Sequence, residues 1–133
     1  MSDKLDVVGI GNAMVDAIIP SNQSEIEKHE INRDSMNLID ENLKNNLHES
    51  YSIREMAGGG SLGNSMFGIT SFGGNGSFIG KIKNDEIGVY LQKDMIREGL
   101  KFPLGFTSPE ISTGCCTIFV EEDGTRTMCT FLG

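Results

Sequence analysis

Two polar side chains, Asn12 and Asp16, stand inside the apolar passage that runs from Gly11 to Pro20. A carboxylate such as Asp16 can accept hydrogen bonds from two vicinal hydroxyls, which is the pair a sugar presents. It could equally cap a turn or accept from a buried backbone amide, and the residue types alone leave both readings open. An even separation along extended chain would put Asn12 and Asp16 on one face, although Gly11 is free to bend the path between them.

The second chemically suggestive stretch is Ala57-Gly58-Gly59-Gly60-Ser61-Leu62-Gly63-Asn64. Consecutive glycines open backbone angles closed to other residues and let a ligand or a strand approach the main chain with no Cβ in the way. Leu62, Met66 and Ile69 then recur at helical spacing, which predicts a helix running to about Phe72. The amides of its first turn lack intrahelical partners and face the glycine turn, where a polar ligand could meet them. Alone, the three glycines read just as well as a tight strand-to-helix turn.

Other arrangements fail on inspection. Gly9-Ile10-Gly11 follows a strand, but a dinucleotide fingerprint needs a third glycine where the chain has Met14. Gly80-Lys81 is no nucleotide-cradling loop, since Asn75 stands at the first glycine position and Ile82 follows the lysine. Cys115, Cys116 and Cys129 have no histidine at metal spacing, so reduced, structural thiols are expected and zinc is not. Cys115 and Cys116 are adjacent, so in a strand only one could line a pocket. His29 and His48 read as isolated on polar, solvated stretches.

These residues need a frame. Leu5 to Ile10 predicts a short strand, central and parallel. Ser24 with Glu27 reads as a capping box for a short helix to Glu30, Met36 to Ile39 as a strand, and Asp40 as the N-cap of a helix to Glu49 with Leu43 and Leu47 inward. A strand from near Ser52 reaches the glycine turn. Phe72-Gly73-Gly74 ends the central helix, and Ser77 to Ile82 is a second core strand. Asn84 or Asp85 caps a helix through Glu98 with Ile87, Leu91 and Met95 inward, closed by Gly99. Leu100, Phe102 and Leu104 suggest a strand or buried loop, and Thr107-Ser108-Pro109-Glu110 a turn.

Thr117 to Glu121 and Thr125 to Phe131 form a hairpin around Asp123-Gly124, read as a two-residue turn. Pairing Glu122 with Thr125 sets Ile118 opposite Cys129, so no cross-hairpin disulfide is expected. The element order implies an α/β sheet with flanking helices plus leftover strands that form a small second sheet, the layout of a lid.

At 133 residues the chain is long enough for one core and too short for two ordinary domains. Its 11 Lys and Arg against 19 Asp and Glu give a net charge of -8, which repels phosphate backbones and anionic lipid, so neither nucleic acid nor a membrane surface is an expected partner. Apolar runs are too short to span a bilayer, and Met1-Ser2-Asp3-Lys4 shows no secretory pattern, which makes a cytoplasmic location the default.

Five motifs in order, Gly11-Asn12-x-x-x-Asp16, Gly59-Gly60-Ser61-x-x-Asn64, Phe72-Gly73-Gly74, Ile79-Gly80-Lys81 with Asp85-x-x-Gly88, and Asp123-Gly124-x-Arg126-Thr127, resemble the N-terminal part of the ribokinase-like (PfkB) family of carbohydrate and nucleoside kinases. The resemblance covers essentially the whole chain and is nearest to adenosine-kinase-like and related bacterial sugar kinases. It implies a partial Rossmann-type core with a β-sheet lid, in which Asp16 binds sugar hydroxyls with help from Asn12 and Asn64, and Gly59-Gly60 serve as hinge and contact edge.

The resemblance also implies ATP and Mg²⁺ as cofactors of the full-length enzyme, a sugar or nucleoside as acceptor, and a homodimer formed through the lid. The family's Asp-Thr-x-Gly-Ala-Gly-Asp motif, whose last acid deprotonates the acceptor hydroxyl, does not occur in this sequence. Residues 1–133 are therefore expected to be the acceptor half of a kinase, inactive alone, with no catalytic residue among them. The alternative is a non-catalytic module that binds a sugar or nucleoside or dimerises through its lid.

Overall fold

The apolar run before Gly11 and the alternating run after it both become strands, but they join different sheets. The computed structural model describes residues 4–133; Met1-Ser2-Asp3, where no secretory pattern was read, lie outside the described residues. In chain order the elements are β1 (Val7–Ile10), β2 (Met14–Pro20), α1 (Gln23–Glu27), β3 (Met36–Leu38), α2 (Glu41–Ser50), β4 (Glu55–Gly59), α3 (Ser61–Ser71), β5 (Gly76–Ile79), α4 (Glu86–Arg97), β6 (Gly114–Val120) and β7 (Arg126–Phe131).

β1 pairs in parallel with β5 and with no other described strand, so its expected direction holds while its expected central place does not, within the described residues. The remaining five strands form one mixed sheet in the order β3-β7-β6-β2-β4. In it β2 runs parallel to β6 and antiparallel to β4. The second sheet is thus the larger of the two here, where a small one was expected.

Helix α3 packs close against the glycines in and just after β1. A Cβ on Gly9 would come within 2.9 Å of the Met66 sulfur, and one on Gly11 within 2.7 Å of Leu62. The two glycines that imitate a dinucleotide fingerprint therefore serve close packing of a helix on a strand.

Strand alternation sorts β2 into two faces. Val15 and Ala17 join Met66, Phe78, Leu91 and Met95 in a core shared by α3, α4 and both sheets. Ile19 joins Ile26, Leu47, Phe119 and Cys129 in a second core beneath α1 and α2. The even-numbered face of β2, with Asp16, points the other way. The Leu100 to Leu104 stretch is loop, with Leu100 and Phe102 buried and Leu104 exposed.

Two caps fall as expected, Asp40 on α2 and Asp85 on α4, each accepting from an amide of the first turn. The third is corrected: Asn22 caps α1 by accepting from the Glu25 amide at 3.1 Å, and Ser24 donates to the same oxygen at 2.7 Å. An asparagine two residues earlier is as good a cap as the serine, and it starts the helix sooner.

The hairpin register is also corrected. Glu121, not Glu122, pairs with Thr125, and Gly124 at φ 87° donates to the Glu121 carbonyl, so three residues make the turn and glycine takes a left-handed bulge. Thr117 therefore faces Cys129 and Ile118 faces Met128. All three cysteines are free and buried, with the Cys115 thiol pushed up to about 12 by burial.

Both histidines are tied into the fold, against the expectation of solvated side chains. His29 bonds the Tyr51 hydroxyl at 2.7 Å and stacks on Phe119, while His48 Nε2 lies 2.8 Å from Thr117 Oγ1 of β6. Burial, and then the nearby Lys44, hold His48 below its ordinary value of 6.5, with Glu86 opposing. As pH falls the unfolded chain takes up this proton first, so the stability His48 supports is present above the ordinary value and lost as pH drops through the lowered one. Thermal melts near pH 7 and near pH 5 should show a smaller loss of Tm for His48→Gln than for the wild type; equal losses would contradict the assignment.

Candidate functional site

Register places Asp16 in a row that crosses the whole five-stranded sheet. Asp16 stands opposite Ala57 of β4 on one side and Cys116 of β6 on the other, Cys116 opposite Thr130 of β7, and Thr130 opposite Leu38 of β3. Side chains directly opposite share a face, so this row is a surface of one alanine, one carboxylate, one thiol, one hydroxyl and one leucine. Thr130 Oγ1 donates to the Cys116 sulfur at 3.4 Å. Cys115 lies on the opposite face, beside His48 at 3.9 Å.

Asp16 rests on bare backbone. A Cβ on Gly59 would lie 2.5 Å from the Asp16 carboxyl carbon and from both of its oxygens, so only glycine lets the acid sit there. The carboxylate is half-buried, makes no hydrogen bond to a described residue, and is held above its ordinary value of 3.8 by that burial alone. A part-desolvated acceptor without an internal donor has its hydrogen-bonding capacity available to an incoming hydroxyl.

The three glycines are not interchangeable. Gly58 is closed from the other side, where a Cβ would meet Phe67 at 2.7 Å and Asp94 at 2.9 Å. Gly60 has φ 80° and ψ 156°, a region essentially reserved for glycine that costs a residue with a side chain about 1–3 kcal/mol, and it caps α3 with no side-chain hydrogen bond. The Asn64 amide closes the first turn on the Gly60 carbonyl at 2.9 Å, which leaves the amides of 61 to 63 outside the helical ladder.

Beside this turn lies an open groove of about 460 Å³ lined by residues that include Asn12, Met14, Gly60, Ser61, Thr130 and Leu132. Asn12 and Gly60 share it, and Thr130 joins it to the row that holds Asp16. Of the five expected site residues, Asn12 and Gly60 line the groove, while Asp16 and the Gly59 backbone it rests on lie next to Gly60 and do not line it. Asn64 is exposed in the first turn of α3 and does not line the groove. A larger cavity of about 730 Å³ contains none of the five; it lies between α2 and the start of α4, against the covered face of the sheet.

Met14, Cys116, Thr130 and Leu38 were not singled out as neighbours of Asp16 from sequence. For Thr130 and Leu38 the signal was the hairpin register, since with Glu122 paired to Thr125 Cys116 would face Phe131; Cys116 itself follows from the parallel pairing of β6 with β2, and Met14 from the alternation of β2.

Residues 4–133 match the pfkB family carbohydrate kinase family. The chain belongs to this family. Its structure is similar to that of adenosine kinase from Sinorhizobium meliloti, at 36% identity and TM-score 0.84, over 98% of this chain and 40% of that one. It is also similar to a probable sugar kinase protein from Rhizobium etli CFN 42, at 32% identity and TM-score 0.83, over 97% of this chain and 39% of that one. Adenosine kinase from Schistosoma mansoni in complex with 2-fluoroadenosine shares the fold at 23% identity and TM-score 0.79, over 98% of this chain and 40% of that one. A search of curated protein sequences finds no match. The chain spans about two fifths of the length of these kinases. Its α/β core with a lid-like second sheet is the ribokinase-like arrangement, and no helix of the described residues is long and apolar enough to cross a membrane.

Because burial raises the Asp16 value, the folded state holds this proton more tightly than the unfolded chain. Ionising it costs stability in full above the raised value and nothing below 3.8. Asp16→Asn is therefore expected to melt higher than the wild type near neutral pH, with the advantage shrinking as pH falls toward the carboxylate range. A lower Tm for the variant near neutral pH would contradict the placement.

Proposed function

We propose that residues 1–133 form the acceptor-binding portion of an ATP-dependent nucleoside or sugar kinase, which transfers a phosphoryl group to a hydroxymethyl group. The observation that carries this reading is the half-buried Asp16 carboxylate, unpaired among the described residues and seated on the Gly59 backbone, one residue before the Gly60 that lines the groove. Its two oxygens suit two vicinal hydroxyls, and the free amides at the start of α3 add partial positive charge beside them. Asn12, which lines the groove beside Gly60, supplies a further donor and acceptor. Asn64 belongs to this set by motif, one turn along α3.

A nucleoside is favoured over a free sugar. Met14, Leu62 and Leu132 give the groove apolar surface for a base, and a protein 36% identical to this chain is an adenosine kinase. Kinases of this family use ATP, with Mg²⁺ to neutralise phosphate charge. The residues of this chain do not fit either group: Gly80-Lys81 runs into the buried Ile82 rather than a helix, and no described cluster of three or more His, Cys, Asp or Glu could hold a metal. The amides and the acid that handle the transferred phosphoryl group lie outside these residues, and the part played here is to bind, orient and shield the acceptor.

Calorimetry on the chain should detect adenosine binding, with 2′-deoxyadenosine about 10- to 100-fold weaker, as expected for loss of a hydrogen bond to a charged acceptor. Asp16→Ala should weaken adenosine and abolish the preference between the two. Equal affinity of the wild type for both nucleosides would reject the role given to Asp16.

A further inference from the structure

Helix α4 and its N-cap carry three side chains, Tyr90, Asp94 and Asp85, that reach the chain on either side of β2. Strand β4 is the last in its sheet, so half of its backbone groups face away from β2 and need partners elsewhere. Two of them end on side chains one helical turn apart on α4. The Tyr90 hydroxyl donates to the Met56 carbonyl at 2.6 Å, and Asp94 Oδ2 accepts from the Gly58 amide at 2.9 Å. Asp94 is buried, and its other oxygen is paired with the Arg97 guanidinium.

At the start of the same helix, Asp85 accepts from the Gly88 amide at 2.7 Å. It also accepts from the Thr113 hydroxyl at 2.8 Å and the Thr113 amide at 3.0 Å, directly before β6. β6 and β4 flank β2, the strand that bears Asp16.

We propose that Asp94 and Tyr90 are positioning residues for the acceptor site: they fix the edge of β4 so that the Gly59 backbone stays seated under Asp16. This rests on the reading of Asp16 as the acceptor-binding acid. The link is short. Gly58, whose amide Asp94 holds, is followed by Gly59, which Asp16 contacts, and then by Gly60, which opens the groove. Glycine backbone has more conformational freedom than that of any other residue, and here it is paired to β2 on one side alone, so a partner on the open side narrows its path further. The space that Asp94 and Phe67 occupy beside the Gly58 Cα also explains why the first glycine cannot carry a side chain.

The test uses the 133-residue chain and a readout that needs no ligand, the carboxyl ¹³C signal of Asp16 followed against pH. In Asp94→Ala the titration midpoint of Asp16 should fall toward the ordinary carboxylate value, and exchange of the Gly58 amide should speed up by about tenfold or more, as expected when a hydrogen bond of about 1.4 kcal/mol is lost. Asp94→Asn keeps an oxygen for the amide and should preserve both readouts to within about threefold in exchange rate, whereas Tyr90→Phe, which deletes one hydroxyl, should shift them less than Asp94→Ala and in the same direction.

Adenosine affinity should follow the midpoint across the series. An Asp16 midpoint that stays at the wild-type value in Asp94→Ala overturns the proposal, as does an asparagine variant that behaves like the alanine one. Failure of the wild type to bind adenosine, with the midpoints moving as stated, would instead reject the acceptor reading and leave the link between Asp94 and Asp16 standing.

Discussion

The close approach of β2 and β4 at Asp16 and Gly59 is the constraint on which the rest of the structure depends. A carboxylate can lie against a main chain at that distance only if the facing residue has no side chain, and a half-buried carboxylate is tolerated only if something keeps the strands from parting. The first condition is met by Gly59. The second is met from behind, by the core that Val15 and Ala17 share with α3 and α4, and at the edge by Tyr90 and Asp94.

The same constraint explains why three glycines occur together. Each one answers a different neighbour: Gly58 the side chains of α3 and α4, Gly59 the acid of β2, and Gly60 a positive-φ turn into the helix. Seen this way the stretch is less a flexible joint than a backbone pressed from two faces in turn. On its open edge this backbone is held by the Asp94 carboxylate and the Tyr90 hydroxyl, and on the other by pairing with β2.

Much of this was legible in the residues themselves, because the signals involved are local. The caps at Asp40 and Asp85, the apolar faces of α2 and α4, the helix after the glycines and the polar pair Asn12 and Asp16 all follow from spacing within a few residues. What was not legible depends on distant partners. The Asp123-Gly124 pair fits a two-residue or a three-residue turn, and only the sheet decides which, so the face of β7 and the row from Asp16 to Leu38 were hidden. His48 reads as a polar residue on a polar helix until Thr117, far along the chain, is brought beside it. Asp94 likewise looks like a surface acid of α4, and its partner amide at Gly58 is 36 residues away. Asn64 shows the reverse case, a residue picked out by motif that the free chain leaves exposed at the start of α3.

The most direct test of the central claim is a crystal structure of the chain with adenosine bound. The account predicts the ribose over Gly59 and Gly60 with both vicinal hydroxyls within about 2.5–3.0 Å of the Asp16 oxygens. A nucleoside seated instead in the cavity between α2 and α4, or an Asp16 carboxylate turned away from the ribose, would contradict it.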